Sequence, residues 1–184
     1  MKRADLLSNA RTGQVLLVSS NTFLSKAIQW FQGCKYSHAA LVLIIDNKPY
    51  VVEAIKHGVA TTPLVEYVND KAETLGLLKP NFVITVDQEK DIISTSLSLA
   101  GHEGYGFGNL IGLQSLRYAW LKLFGTETTI DYLIDKTNSG KRPICAELCA
   151  IILNKVEPGL FPEWKQIAPA DLYSSKNFTF EVID

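Results

Sequence analysis

Cysteine, histidine and methionine are all scarce in this chain: three, three and one among 184 residues. Three cysteines are too few, and odd in number, for a disulfide framework. That excludes the small stapled secreted scaffolds and points to a reducing compartment. No apolar run approaches the roughly 20 residues needed to cross a bilayer. The longest, "AALVLII" from Ala39, has the length of a buried strand. Neither sign of charge is in excess: 18 Lys and Arg against 19 Asp and Glu leave a formal net charge of −1, so nothing argues for a nucleic-acid partner. Internal repeats and low-complexity tracts are also lacking. The opening "MKRADLLSNARTGQ" is basic but has no apolar stretch behind it, so it does not read as a secretory signal. Cytoplasmic residence is the expectation, with no integral membrane segment, unless a phage particle or lysis system delivers the protein to a cell wall.

What is present is globular. Apolar residues make up 47% and charged residues 20%, enough to build a core, and the length fits one domain spanning 1–184. "GQVLLVSS" reads as a first strand after Gly13. "NTFLSKAIQWFQG" reads as a helix with Asn21 or Thr22 as N-cap and Gly33 as stop. Its residues Phe23, Leu24, Ala27, Ile28 and Phe31 share one face, with Trp30 beside it. Lys26 is the only basic residue on that helix, so packing into the core is expected over lying on a membrane.

"HAALVLIID" and "PYVVEAI", joined by "DNK", give a hairpin; "GVATTPL" and "ETLGLLKP" follow as short strands. "DQEKDIISTSLSLAGHEG" reads as a helix capped by Asp87, and "NLIGLQSLRYAWLKLFG" as a second, largely apolar one. "DKTNSGKR" is a polar connector and "FTFEVI" a closing strand. Strands early and helices mostly late predict an α+β fold with a largely antiparallel sheet.

Chemistry concentrates in a few residues. In "KRPICAELCAIIL", Cys145 follows Pro143, which suits the first turn of a helix because its missing N–H would have gone unpaired. A thiol there meets unpaired N–H groups and the positive end of the helix dipole, both of which favour thiolate. The alternative is a small hydrophobe in a core, and that reading suits Cys149, one turn deeper.

A nucleophilic cysteine needs a base, and the base an orienting partner. His57 and His102 read as solvated loop residues. His38 stands at the mouth of the apolar strand, where it is either a structural histidine or one held in a cleft. Glu53 lies inside the apolar "YVVEAI", where an acid is costly unless paired; the alternative is a surface acid on an edge strand. A turn centred near Asn47 would set Glu53 opposite Leu41 and His38 opposite Lys56, an offset approach at the strand ends.

"GQVLLVSS", "YSHAALVLI", "YVVEAIKHGVATTPL", "PICAELCA" and "IAPADLY", in that order, resemble the permuted papain-like branch of the NlpC/P60 superfamily, the YiiX-like proteins. The resemblance runs from Gly13 to Tyr173. It implies a circularly permuted papain-like fold: a small, mostly antiparallel sheet bearing the histidine, packed against helices that include the cysteine-bearing one. It further implies Cys145 as nucleophile, His38 as general base and Glu53 as the group orienting it. Tyr105, in "GYGFGN", is implied as a second oxyanion donor beside the Cys145 N–H. Gln14 stands where the family usually has Asp, and Ala146 where Ser usually follows the cysteine.

The implied activity is that of a cysteine amidase or peptidase working through an acyl-thioester, with no cofactor. Its substrates would be a peptide (cell-wall peptides included), an N-acyl amino acid or a lipid. One alternative is a lipid acyltransferase or thioesterase of the same fold, with "LIGLQSLRYAWLKLF" lining an acyl groove. Another is a non-enzymatic module stabilised by zinc on Cys34, His38, Cys145 and Cys149. A catalytically silent binding module of the same fold is a third.

Overall fold

The sheet is built around the strand that the apolar run announced. The computed structural model describes residues 1–55, 58–70, 74–100, 144–162 and 167–184. Among these, six strands occur: β1 (Val15–Ser19), β2 (His38–Ile45), β3 (Lys48–Ile55), β4 (Gly58–Pro63), β5 (Thr74–Pro80) and β6 (Phe178–Ile183). They form one sheet in the order β4-β3-β2-β1-β5-β6, each neighbouring pair antiparallel. The helices are α1 (Arg3–Asn9), α2 (Phe23–Gln32), α3 (Leu64–Asn69), α4 (Val86–Leu99), α5 (Cys145–Val156) and α6 (Pro169–Ser174). The α+β architecture expected from the sequence is the one observed.

Both faces of the sheet are covered, which explains why β1 and β2 are apolar at successive positions instead of alternating. Val15, Leu17, Ala39, Leu41, Leu43 and Val52 pack with Leu148, Cys149, Ile152 and Leu153 of α5, and with Ile92 of α4. Leu16, Val18, Ala40, Val42 and Val51 pack on the other face with Leu6 of α1 and Leu64 of α3. Each of the larger side chains among these, fully removed from water, contributes roughly 1.5–3 kcal/mol. Neither α1 nor α3 is anticipated by the sequence reading. Both are short, and one buried leucine apiece, Leu6 or Leu64, is too little to set a period. The two chain ends meet beside β6: Arg3 N–H donates to Asp184 O at 2.8 Å, and Asp184 N–H to Met1 O at 2.9 Å.

Several local readings change. The cap of α4 is Thr85 and not Asp87. Gln88 N–H donates to Thr85 Oγ1 and Thr85 N–H donates to Gln88 Oε1, a reciprocal pair that leaves Asp87 in the first turn. Helix α2 is capped as expected, by Thr22 and by Gly33 at φ +61°. Its apolar face, however, does not enter the core. Ile28 is buried, but Phe23 is 89% and Trp30 67% exposed. The second apolar helix, "NLIGLQSLRYAWLKLFG", and the connector "DKTNSGKR" lie outside the described residues, as do His57, His102 and Tyr105.

The hairpin register differs from the expected one by a single residue, with a large consequence. The loop is the pair Asp46–Asn47, both at positive φ (+49° and +58°), so Ile45 pairs with Lys48 and Leu41 with Val52. A two-residue loop of this handedness matches the twist of the strands it joins. Carried past the last pair, this register sets Glu53 level with Ala40, on the same face as His38. The expected register would have sent Glu53 to the opposite face, because a one-residue slip inverts every side chain. Replacing Asn47 by Val, a residue poorly suited to positive φ, should cost about 1–2 kcal/mol, whereas Asn47→Gly should be tolerated; urea unfolding midpoints at constant slope measure both.

Candidate active site

Helix α5 begins at Cys145 because Ile144 is extended (φ −80°, ψ 175°) and the Glu147 carboxylate reaches back to accept its N–H at 3.0 Å. Cys145 is therefore the first helical residue, at the positive end of the helix dipole, and is 8% exposed. Pro143, which announces the helix start in the sequence, lies outside the described residues. Cys149, one turn on, is wholly buried in the core, and burial pushes its thiol well up, with the charge on Cys145 acting the same way. It is the plain core residue expected.

His38 is the first residue of β2, opposite Val18 at the end of β1. A ring at the mouth of a strand can reach groups on both sides of the sheet, and this one does. Its Nε2 lies 2.7 Å from Glu53 Oε2. It also interacts with Cys145, whose charge and hydrogen bonding both act on the imidazole.

Glu53 is neither on an edge strand nor at the surface. β4 lies outside it, and the residue is 4% exposed. Three donors meet its carboxylate: His38 and the Tyr67 hydroxyl (2.5 Å) at Oε2, and the Thr62 hydroxyl (2.7 Å) at Oε1. Burial favours the neutral acid. The His38 hydrogen bond and charge, with Tyr67 and Thr62, outweigh it and hold the carboxyl below its ordinary value, so Glu53 is ionised.

The other two groups titrate as a pair. Burial alone would lower His38, but the Cys145 charge and hydrogen bond, followed by Glu53, push it up to about 10. Burial alone would raise Cys145. The His38 charge and hydrogen bond prevail, helped by backbone N–H groups of Ala39 and Ala146 that bond the sulfur, and the thiol is lowered. These are one interaction seen from its two ends, and the state it favours is thiolate with imidazolium.

The structure thus brings together Cys145, His38 and Glu53. The sequence reading did not find Thr62 and Tyr67. They lie 9 and 14 residues beyond Glu53, on β4 and α3, and nothing local marks them. The Cys3His set does not assemble. Among the described residues no three His, Cys, Asp or Glu side chains converge as a metal centre requires, and Cys34 sits instead near Lys35, Tyr36 and Asp171.

A family model described as a permuted papain-like amidase enzyme, YaeF/YiiX, C92 family, matches residues 9–114, more than half of the chain. The chain belongs to the C92 family. The family is one of permuted papain-like amidases, and in this chain His38 and Glu53 of the sheet precede Cys145 of α5. The matched span holds His38 and Glu53 and stops short of Cys145. In fold the C92 chain is similar to the solved structure of metalloprotein yiiX from Escherichia coli O157:H7. The TM-score is 0.54 over 94% of this chain and 96% of that one, at 16% identity. The word metalloprotein is said of the Escherichia coli protein; the described residues of this chain hold no cluster that fits a metal ion. No curated protein matches.

The two positions at which the chain departs from what the resemblance implies, Gln14 and Ala146, both have a place in the structure. Gln14 lies at the far end of β1 from His38's partner Val18, and its side chain accepts the Arg11 N–H at 3.0 Å. Ala146 lacks a serine hydroxyl, but its backbone N–H still reaches the sulfur.

The pH window of the Glu53 pair follows from these directions. Glu53 is depressed on folding, so its contribution is complete above its ordinary value of 4.5 and is lost as pH falls through the lower folded value. His38 is raised, so its contribution is complete below 6.5 and is lost as pH climbs through about 10. Glu53→Gln removes the buried charge but leaves its donors in place. It should lower stability by about 3–5 kcal/mol and move the pH of half-maximal Cys145 alkylation upward, both readable by urea unfolding and mass-mapped iodoacetamide labelling.

Proposed function

We propose that residues 1–184 act as one catalytic unit that cleaves the C–N bond of a peptide or N-acyl amide through an acyl-thioester on Cys145. The observation carrying this reading is the buried His38–Glu53 pair at 2.7 Å coupled to Cys145 at the start of α5, with the thiol lowered and the imidazole raised. The Cys145 thiolate attacks the carbonyl carbon, and the oxyanion forms beside the Cys145 N–H at the start of α5. As the C–N bond breaks, His38 gives its proton to the departing amine. Water then attacks the thioester and His38 takes up its proton. The acid leaves and the thiolate–imidazolium pair is restored. Glu53 holds the ring in place and keeps it charged, as an acid partner does in such triads.

Cys145→Ala should lose about 10⁴-fold or more in kcat on an N-acyl amino-acid anilide, with the acyl-enzyme adduct gone from intact-mass spectra; unchanged turnover would remove Cys145 as nucleophile. The pH profile of kcat/KM should be bell-shaped. Its acid limb lies below the ordinary thiol value of 9.0, because Cys145 is lowered. Its alkaline limb falls near pH 10, where His38 loses its proton.

A further inference from the structure

The two oxygens of Glu53 are loaded unequally. Oε1 accepts one hydrogen bond, from the Thr62 hydroxyl at 2.7 Å. Oε2 accepts two, from His38 Nε2 at 2.7 Å and from the Tyr67 hydroxyl at 2.5 Å. A carboxylate has room for about four donors, two to each oxygen. Satisfying the buried charge therefore does not by itself require Tyr67 to use the oxygen that His38 uses. The Tyr67 bond is the shorter of the two, at the short end of the range for a hydroxyl on a carboxylate. Its ring is held in place from outside. Helix α3 follows β4 directly, and Arg3 of α1 donates to the carbonyls of Tyr67 at 3.3 Å and Asp70 at 2.5 Å.

Two donors on one oxygen compete. Each draws the same negative charge toward its own proton, so what Tyr67 takes is lost to the bond with His38. Thr62, on the other oxygen, competes less. The groups that act on this cluster are few among the described residues. Cys145 of α5 and Glu53 of β3 act on the imidazole, and the Glu53 charge reaches Cys149 of α5. Glu66 and Asp70 of α3 stand with Thr62 and Tyr67 around a cavity of about 210 Å³.

The competition matters for a proton that has to leave. In the amide cleavage proposed above, His38 keeps its proton while the thiolate attacks and then gives it to the departing amine. The imidazole is already raised to about 10. An undivided carboxylate would hold that proton tighter still and make the ring a poorer acid.

We propose that Tyr67 is a positioning residue that works against Glu53: by sharing Oε2 it keeps the carboxylate from holding the imidazolium proton too firmly, so that His38 releases it to an amine leaving group. The purpose of this sharing rests on the amidase reading, but the sharing itself is measured without turnover.

The first readout is the pH dependence of Cys145 alkylation by iodoacetamide, mapped by mass in the full chain. Tyr67→Phe removes the hydroxyl and keeps the ring. It should move the pH of half-maximal labelling downward by about 0.5, because a firmer imidazolium favours the thiolate. The shift is opposite in sign to that of Glu53→Gln. Were Tyr67 only a support, its loss would loosen Glu53 and move labelling upward, so an upward shift, or none, overturns the proposal. Thr62→Val should move the midpoint less; an equal downward shift would mean that sharing one oxygen is not the cause. Fluorotyrosine in place of Tyr67, a stronger donor of nearly the same shape, should move the midpoint upward. That arm stands even if the phenylalanine variant folds poorly, and a downward shift there sinks the idea.

The second readout is the ratio of kcat on an N-acyl amino-acid amide to kcat on the nitrophenyl ester of the same acyl group, whose phenolate departs without a proton. In Tyr67→Phe that ratio should fall about two- to threefold, and an unchanged ratio contradicts the release role. Wild-type protein that cleaves neither substrate, with the downward labelling shift present, would remove the amidase reading and leave the sharing of Oε2 in place. Amide cleavage with an upward labelling shift would do the reverse.

Discussion

A carboxylate buried in the third strand is the constraint on which the site depends. Glu53 gives up hydration that would cost several kcal/mol to lose without replacement. Three donors from three elements replace it: His38 on β2, Thr62 on β4 and Tyr67 on α3. Each partner has a structural consequence. Thr62 requires β4 to pair outside β3, which removes Glu53 from the sheet edge. Tyr67 requires α3 to follow β4 at once and fold back over the face. His38, fixed and charged by the carboxylate, then meets Cys145 at the start of α5, and the thiol's acidity derives from that charge more than from the helix start alone. The helix start positions the sulfur, whereas the buried acid, two residues removed along the row, keeps the ring beside it charged.

Much of this is legible in the chain, and the failures have physical causes. The apolar run through β2 identifies a strand buried on both faces, and Glu53 stands out because an acid within "YVVEAI" has to be explained. The hairpin loop is legible too, but not the half-residue position of its centre. That small difference decides the face of Glu53, because strand side chains repeat every two residues. The apolar arc of α2 has the period of a core face. Periodicity reports that a helix has two sides and not which side turns inward. The serines and glutamine on the other side, which do turn inward, form hydrogen bonds to residues that no local pattern reveals. Thr62 and Tyr67 are illegible for the same reason, since their importance comes wholly from where the sheet brings them.

The arrangement also separates the site into parts of different origin. His38, Glu53, Thr62 and Tyr67 lie within about thirty residues of one another and belong to the strand–hairpin–helix unit that the C92 match spans. Cys145 arrives from far along the chain, carried by a helix whose buried side packs against that unit through Leu148, Cys149, Ile152 and Leu153. Its capture is a long-range event, and the loop-closure entropy of that contact is offset by apolar burial around α5 more than by any bond at the site itself.

The backbone bonds that join Met1 and Arg3 to Asp184 make the fold nearly a closed ring of polypeptide. A ring has no intrinsic first element. Joining residue 184 to residue 1, where they already touch, and cutting ahead of Ile144 would yield an order that begins with the helix of Cys145 and reaches the strand of His38 later, with the strand pairs of the sheet kept. Gene rearrangement between cysteine-first and cysteine-last orders would then need no refolding of the core, only a new place to start reading.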